Sequence, residues 1–172
     1  MKKKFLVIIS VAIVIVFFVS VFLVPADDAK RAAMTSLCSQ VTKDNVKSPS
    51  SYKMTSAMVS LKQLSNSEIE KKVRNMHSEA MSVAVSKGLL TIRSGEVFVD
   101  FEASNAMGVS LKGLTKCDFD NFSDSWSSLE AVSIDGNQLS GSDIIIASAG
   151  KKIESGFTSK ALFLIYKVTG KI

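Results

Sequence analysis

An apolar run near the start of the chain, residues 5–24, constrains this protein more than any other stretch. The run reads FLVIISVAIVIVFFVSVFLV and carries no charged side chain. A helix rises about 1.5 Å per residue, so a run of this length covers roughly 30 Å, the thickness of the hydrocarbon core of a bilayer. We therefore predict a transmembrane helix at residues 5–24, through which the chain contacts the lipid bilayer.

The charges that flank this run predict its orientation. Lys2, Lys3 and Lys4 directly precede it, whereas residues 25–31 mix two acids with two bases. By the positive-inside rule, residues 1–4 form a cytoplasmic tip and residues 25–172 are exported. A secretory signal cleaved after Ala26 is the alternative, but the apolar core of such a signal is usually only about 7 to 15 residues long. The longer run favours a retained single-pass anchor in the bacterial inner membrane.

The exported residues 25–172 are long enough for one modest domain with its own core. The net charge of the chain is +5, but without the three lysines of the tip 18 Lys and Arg face 16 Asp and Glu. A nearly balanced surface is not typical of nucleic-acid-binding proteins. We therefore expect no nucleic-acid partner.

Two helices are predicted in the first half of the domain. Asp27 and Asp28 can cap the first helix, which follows Pro25 closely enough to continue from the span with a kink. Its apolar positions recur at i, i+3, i+4 and i+7 and are Met34, Leu37, Cys38 and Val41.

The second helix starts at a capping box formed by Ser67 and Glu70. Its apolar stripe ends at Gly88 and comprises Ile69, Val73, Met76, Ala80 and Val83. We expect this helix to lie across a sheet.

Alternating apolar and polar residues predict antiparallel strands. Residues 52–64 and 89–92 favour strands, and two longer strands follow, with Val97, Val99 and Phe101 on one and Val109, Leu111, Cys117 and Phe119 on the other. Asn105 and Gly108 supply the left-handed conformations of a short hairpin loop between them. Residues 131–134 favour a short strand ending at Asp135 and Gly136.

The last part of the domain is ambiguous from periodicity. Residues 140–150 fit either a helix capped by Ser140 and Asp143 or a buried strand, and residues 161–168 favour a buried final strand. The predicted fold class is α+β: a single N-terminal transmembrane helix followed by antiparallel strands packed with two or three helices.

Two motifs together resemble a known pattern. VKSPS at residues 46–50 follows the helical Cys38, and VFVDFEASNAMGVSL at residues 97–111 precedes Cys117. These motifs resemble a family of small exported bacterial envelope and mobile-element proteins. Members of that family carry a KSPS turn and, later in the chain, two strands joined by an AxNxxG turn, the second of which ends in Cys. The resemblance implies an α+β envelope domain with paired cysteines, and it implies no activity.

The residues themselves also favour a disulfide between Cys38 and Cys117. They are the only cysteines, both fall on predicted buried faces, and export would take them to an oxidising compartment. Two buried free thiols are the alternative. A catalytic pair is usually close in sequence, as in Cys-x-x-Cys, so we predict a structural bridge.

Candidate catalytic and metal-binding residues are few. His77, the only histidine, lies beside the stripe of the second predicted helix and has no identifiable Ser and carboxylate partners for a triad. Zinc bound by His77 and both cysteines would need ligands at unrelated spacings. The acidic residues Asp118, Asp120 and Asp124 lack the Gly and terminal Glu of a calcium loop.

Several residues on the predicted strands are candidates for the surface or the core. Asp100 and Glu102 point to the same face of one strand, which is more typical of a wet sheet face than of a glycosidase pair. An aromatic set belongs either to the core or to an exposed partner surface. Its members are Phe98, Phe119, Phe122 and Trp126.

The function predicted from sequence is that of a membrane-tethered periplasmic binding or assembly module, an accessory subunit of a bacterial envelope complex. Its expected partners are other envelope proteins or a second copy of itself, and we expect no enzymatic activity, cofactor or metal. A tethered hydrolase that uses His77 is the alternative. Self-association through the span is poorly supported, because the run has no Gly and therefore no GxxxG motif.

Overall fold

The computed structural model describes residues 12, 15–75, 79–89, 91–122, 126–149, 151 and 153–172. Within these residues the fold is an α+β arrangement of one five-stranded antiparallel sheet and several helices, as predicted. The helices are α1 (Ala26–Asn45), α2 (Asn66–Asn75), α3 (Glu79–Ser86), α4 (Gly141–Ser148) and α5 (Phe157–Val168), with a 3-10 turn at Pro49–Ser51. The strands are β1 (Lys53–Gln63), β2 (Ile92–Ser104), β3 (Ser110–Phe122), β4 (Trp126–Ile134) and β5 (Asn137–Gln138).

The predicted span lies partly outside the described residues. Residues 15–23 are helical, and the chain breaks from this helix at Val24 and Pro25 before α1 begins. No helix in the described part of the chain is long and apolar enough to cross a membrane. Residues 1–11, 13 and 14 lie outside the described residues, so a span over residues 5–24 stays a prediction.

Helix α1 is the central element of the domain. Asp27 and Asp28 occupy its first turn, where the positive end of the helix dipole favours acids, and Pro25 precedes it. The predicted apolar face is confirmed, because its four members Met34, Leu37, Cys38 and Val41 are all buried. The helix lies against the sheet through these residues.

The five strands follow one another in sequence order across the sheet. The predicted hairpin is confirmed, with β2 and β3 paired from Ile92↔Phe122 to Ser104↔Ser110. Gly108 has the expected left-handed backbone, with φ of 80°. Asn105 instead stabilises the loop with its side chain, because its Oδ1 accepts hydrogen bonds from the backbone N–H groups of Met107 and Val109.

We call the sheet face that packs on α1 the inner face. Its buried residues come from alternate positions of neighbouring strands and include Met54, Val97, Val99, Phe101, Thr115, Cys117, Phe119, Leu129 and Val132. The predicted disulfide is confirmed: Cys38 of α1 and Cys117 of β3 are bonded, with their Cα atoms 5.9 Å apart. The bridge joins the helix to the middle strand of the sheet.

We call the opposite sheet face the outer face. Helices α2 and α3 cover only one end of it, where Ile69, Val73 and Val85 pack on Leu64 and Ile92 to form a second, smaller core. The Lys72 ammonium donates to the Asp120 carboxylate of β3 and so ties α2 to the sheet. Partial burial lowers the pKa of Lys72. The rest of the outer face has no helix over it among the described residues.

The second predicted helix differs from the structure in two respects. Its residues form two helices, α2 and α3, and residues 76–78 between them lie outside the described residues. The capping box is also two residues earlier than predicted: Ser65 Oγ accepts from Glu68 N–H, and Glu68 Oε2 accepts from Ser65 N–H. Ser65 directly precedes the first helical residue and so occupies the N-cap position. From that position a side chain can accept a hydrogen bond from a free backbone N–H of the first turn.

Two further predictions near the C-terminus are settled by the structure. Ser140 caps α4 by accepting from the backbone N–H of Asp143, so the helical alternative holds for this segment. The predicted final strand at residues 161–168 is wrong, because these residues belong to α5, which packs along α1. A short apolar run fits a buried strand and a half-buried helix equally well. Here the run packs against helix α1 and is itself helical.

The predicted inward face of β3 holds only in part. Cys117 and Phe119 are buried, but Val109 and Leu111 are exposed. Val109 lies in the hairpin loop, before β3 begins. These two residues lie at the hairpin end of the strand, beyond the part of the sheet that α1 covers.

Candidate binding surface on the outer face of the sheet

The structure divides the predicted aromatic set between the two faces of the sheet. Phe119 is 1% exposed and belongs to the main core, so it is not available to a partner and the core alternative applies to it. Phe98 lies on the outer face and is half-buried. Phe122 and Trp126 face each other in the β3–β4 pair, and their side chains lie outside the description. Among the described side chains of the set, Phe98 is therefore the one that lies on the outer face.

A row of side chains crosses three strands at Phe98. Met58 of β1 and Lys116 of β3 are the direct cross-strand partners of Phe98. Met58 is 65% exposed. The Lys116 Nζ lies 5.9 Å from the centroid of the Phe98 ring, within the range of a cation–π contact. Sequence analysis missed Met58 and Lys116, because only the register of β1 and β3 against β2 brings them to Phe98.

Lys116 is held by two carboxylates on the same face. Its Nζ lies 2.9 Å from Glu96 Oε1 and 3.0 Å from Asp118 Oδ1. Hydrogen bonds to Glu96 and Asp118 raise the pKa of Lys116, while partial burial opposes them. These groups are all solvent-accessible, so the pairs orient side chains more than they stabilise the fold.

The outer face also contains the two acids that resemble a glycosidase pair. Asp100 and Glu102 project from β2 on this side, as predicted for a wet sheet face. Asp100 Oδ2 accepts a hydrogen bond from Ser56 Oγ at 2.6 Å. Leu114, across the sheet from Asp100, is 45% exposed. The surface therefore alternates small apolar patches with paired charges, a composition suited to recognition.

The remaining sequence candidates do not come together in the described part of the chain. His77 and Asp124 lie outside the described residues, and the hydrolase alternative therefore stays a prediction. The sulfur atoms of Cys38 and Cys117 are bonded to each other, so neither is available as a thiolate ligand for zinc. Asp118 pairs with Lys116, and Asp120 pairs with Lys72. Among the described residues, no three His, Cys, Asp or Glu side chains are grouped to hold a metal ion.

A cleft of about 680 Å³ lies between α2, α3 and the adjoining ends of β1 and β2. Its apolar wall is the second core, with Ile69, Val73 and Val85, and Glu70 and Arg74 lie at its edge. The sequence did not indicate this cleft, because a single continuous helix was predicted where the chain forms two.

Comparison of the chain with protein-family models, with curated proteins and with solved structures finds no match.

Proposed function

We propose that this protein is a binding module tethered to the periplasmic side of the bacterial inner membrane, and that the outer face of its sheet docks another envelope protein. The observation that carries the proposal is the row of Met58, Phe98 and Lys116 on an open face of a sheet whose other face is fixed to α1. Accessible apolar side chains next to charged ones are typical of protein interfaces.

The rigidity of the sheet supports this role. Each strand that carries the row is paired along its length, and the disulfide from α1 attaches to β3 directly behind Lys116. Side chains on a rigid scaffold lose little conformational entropy when a partner binds. The row is therefore organised before any partner arrives.

The sequence supports the location. The apolar run at residues 5–24 and the preceding lysines favour an inner-membrane anchor with the domain outside the cytoplasm. The disulfide fits an oxidising compartment such as the periplasm. A tether confines the domain to the membrane surface and raises its effective concentration near a membrane partner.

Photo-crosslinking in cells tests the surface. With a photo-crosslinking amino acid at position 58, we expect a defined adduct with another envelope protein, and Phe98→Glu should abolish that adduct. The matched control places the same amino acid at position 107, since Met107 is exposed in the hairpin loop, away from the row. Equal adducts from both positions, or an adduct that survives Phe98→Glu, would contradict the proposal.

Two measurements test the tether independently. A reporter active only in the periplasm, fused after Ile172, should be active. The mature chain should also stay in the membrane fraction. Release of a soluble domain processed after Ala26 would restore the signal-peptide alternative. In the crosslinking experiment, an adduct between position 58 and a second copy of the chain would mean that the outer face binds another copy of this protein and not a different envelope protein.

A further inference from the structure

The first turn of α5 lies against the helix that contains residues 15–23. The Phe157 ring stacks on Phe18, with centroids 5.8 Å apart and planes at 24°, and its centroid lies 6.3 Å from that of Phe22. The Lys160 Nζ lies 3.4 Å from the Phe22 carbonyl oxygen. A turn that is far from residues 15–23 in sequence is thus fixed to the C-terminal half of the predicted span.

The position of Phe18 within the apolar run gives the depth of this contact. Phe18 precedes Val24 by six residues, which is roughly 9 Å along a helix. If residues 5–24 span the hydrocarbon core, as their length of roughly 30 Å predicts, Val24 lies at the outer edge of that core. A ring stacked on Phe18 then lies among the upper acyl chains, within about 9 Å of that edge.

Phe157 and the neighbouring apolar side chains of the helix at residues 15–23 are partly exposed. Phe157 is still 47% exposed, and Phe22 and Leu23 are more exposed than that. An apolar ring at this depth would meet lipid on its open side. Lys160 follows Phe157 by one turn, and a lysine at this level can keep its stem along apolar surface and its charge among the headgroups.

We propose that the first turn of α5 inserts into the interface of the bilayer, with Phe157 among the upper acyl chains and Lys160 at the boundary between the acyl chains and the headgroups. This inference rests on the proposed tether, and it adds a second membrane contact to the span. Because α5 packs along α1, the insertion fixes the orientation of the whole domain relative to the membrane. A span alone would leave the domain free to tilt about Val24 and Pro25.

Tryptophan quenching in vesicles tests the inserted turn. The full chain is reconstituted in phosphatidylcholine and phosphatidylglycerol vesicles with ordinary or brominated acyl chains, and three variants are compared: Val19→Trp, Phe157→Trp and Ile165→Trp. These positions are similarly exposed, at 54%, 47% and 49%. The unsubstituted chain gives the Trp126 baseline, which is subtracted. We expect loss of most of the added emission at positions 19 and 157, and little loss at position 165.

The outcomes separate this inference from the tether. Quenching at position 19 without quenching at 157 would overturn the insertion and leave the tether intact, as expected if a protein partner or solvent covers Phe157. No quenching at either position would overturn the tether itself. Equal quenching at 157 and 165 would mean that the whole of α5 lies on the membrane, which contradicts insertion of its first turn alone. Thermal unfolding of each variant verifies that the domain is folded.

Discussion

The two faces of the sheet are built from the same strands, yet they differ in what determines their residues. On β2, Val97 and Val99 of the inner face are fully buried, whereas Glu96 and Phe98 of the outer face are only partly covered. The inner face must fit α1, so its volumes and contacts are fixed by packing. Most of the outer face has no such neighbour among the described residues, and its side chains are free to serve recognition.

The largest expected effect comes from removing the bond that attaches the inner face to α1. The loop closed by Cys38 and Cys117 spans a sequence separation of 79 residues. On the chain-entropy model, its loss should lower the free energy of unfolding by about 4.5 kcal/mol. Cys38→Ser, Cys117→Ser and the double variant should be similar, as measured by urea unfolding. Reaction of the native, unreduced protein with a thiol reagent would refute the bridge.

Phenylalanine truncation compares the two faces directly. Phe119→Ala should cost about 4 kcal/mol, because it removes a fully buried ring from the main core. Phe98→Ala, on the outer face, should cost less than about 1 kcal/mol. Chemical denaturation of both variants measures the difference. Equal costs would mean that Phe98 is a core residue and would remove the basis of the proposed binding surface.

A glycine on the inner face tests how tightly that face is packed. A Cβ at Gly113 would clash with Cζ of the Phe101 ring, so Gly113→Ala should destabilise the domain by about 2 kcal/mol through overpacking. The control is Gly141→Ala at the start of α4, where no atom lies within 4 Å of the added Cβ. Thermal unfolding should leave the control near the parent protein. A neutral Gly113→Ala would mean that the ring has room to move.

The smallest expected effect concerns the cap of α2, at the end of the outer face. Hydrogen bonds from the Ser65 side chain and backbone lower the pKa of Glu68 from 4.5 to about 2. The stabilisation from Glu68 is therefore complete above pH 4.5 and is lost as the pH falls towards 2. Ser65→Ala should raise the pKa of Glu68 towards 4.5, as measured by NMR titration of the carboxyl carbon.

Ser67→Ala is the matched control for the cap, because Ser67 was the capping residue expected from sequence. It should leave the pKa of Glu68 much closer to its value in the parent chain. A larger shift from Ser67→Ala than from Ser65→Ala would support the cap predicted from sequence and contradict the observed hydrogen bonds.

The amino-acid sequence by itself determined the elements with a strong local signal. The i, i+3, i+4, i+7 pattern of α1 and the alternation of β2 indicated which side chains are buried, and the alternation of β3 did so at Cys117 and Phe119 although not at Val109 and Leu111. Cys38 and Cys117 were thereby placed on buried faces, where the structure joins them. The same alternation put Phe119 beside Cys117 on the inward side, which favoured the core alternative over the partner surface for this residue, and the structure buries it. For Phe98 the sequence left the core and an exposed surface as alternatives, and the structure places it on the outer face.

Tertiary structure decided what local patterns leave open. Residues 161–168 are apolar enough for a strand or a helix, and packing along α1 selected the helix. Met58 and Lys116 join Phe98 only through strand register, which depends on residues distant in sequence. Phe157 meets Phe18 through the packing of two helices that are distant in sequence. Periodicity reports which side of an element is buried, but the neighbour that buries it is set by the packing of the whole chain.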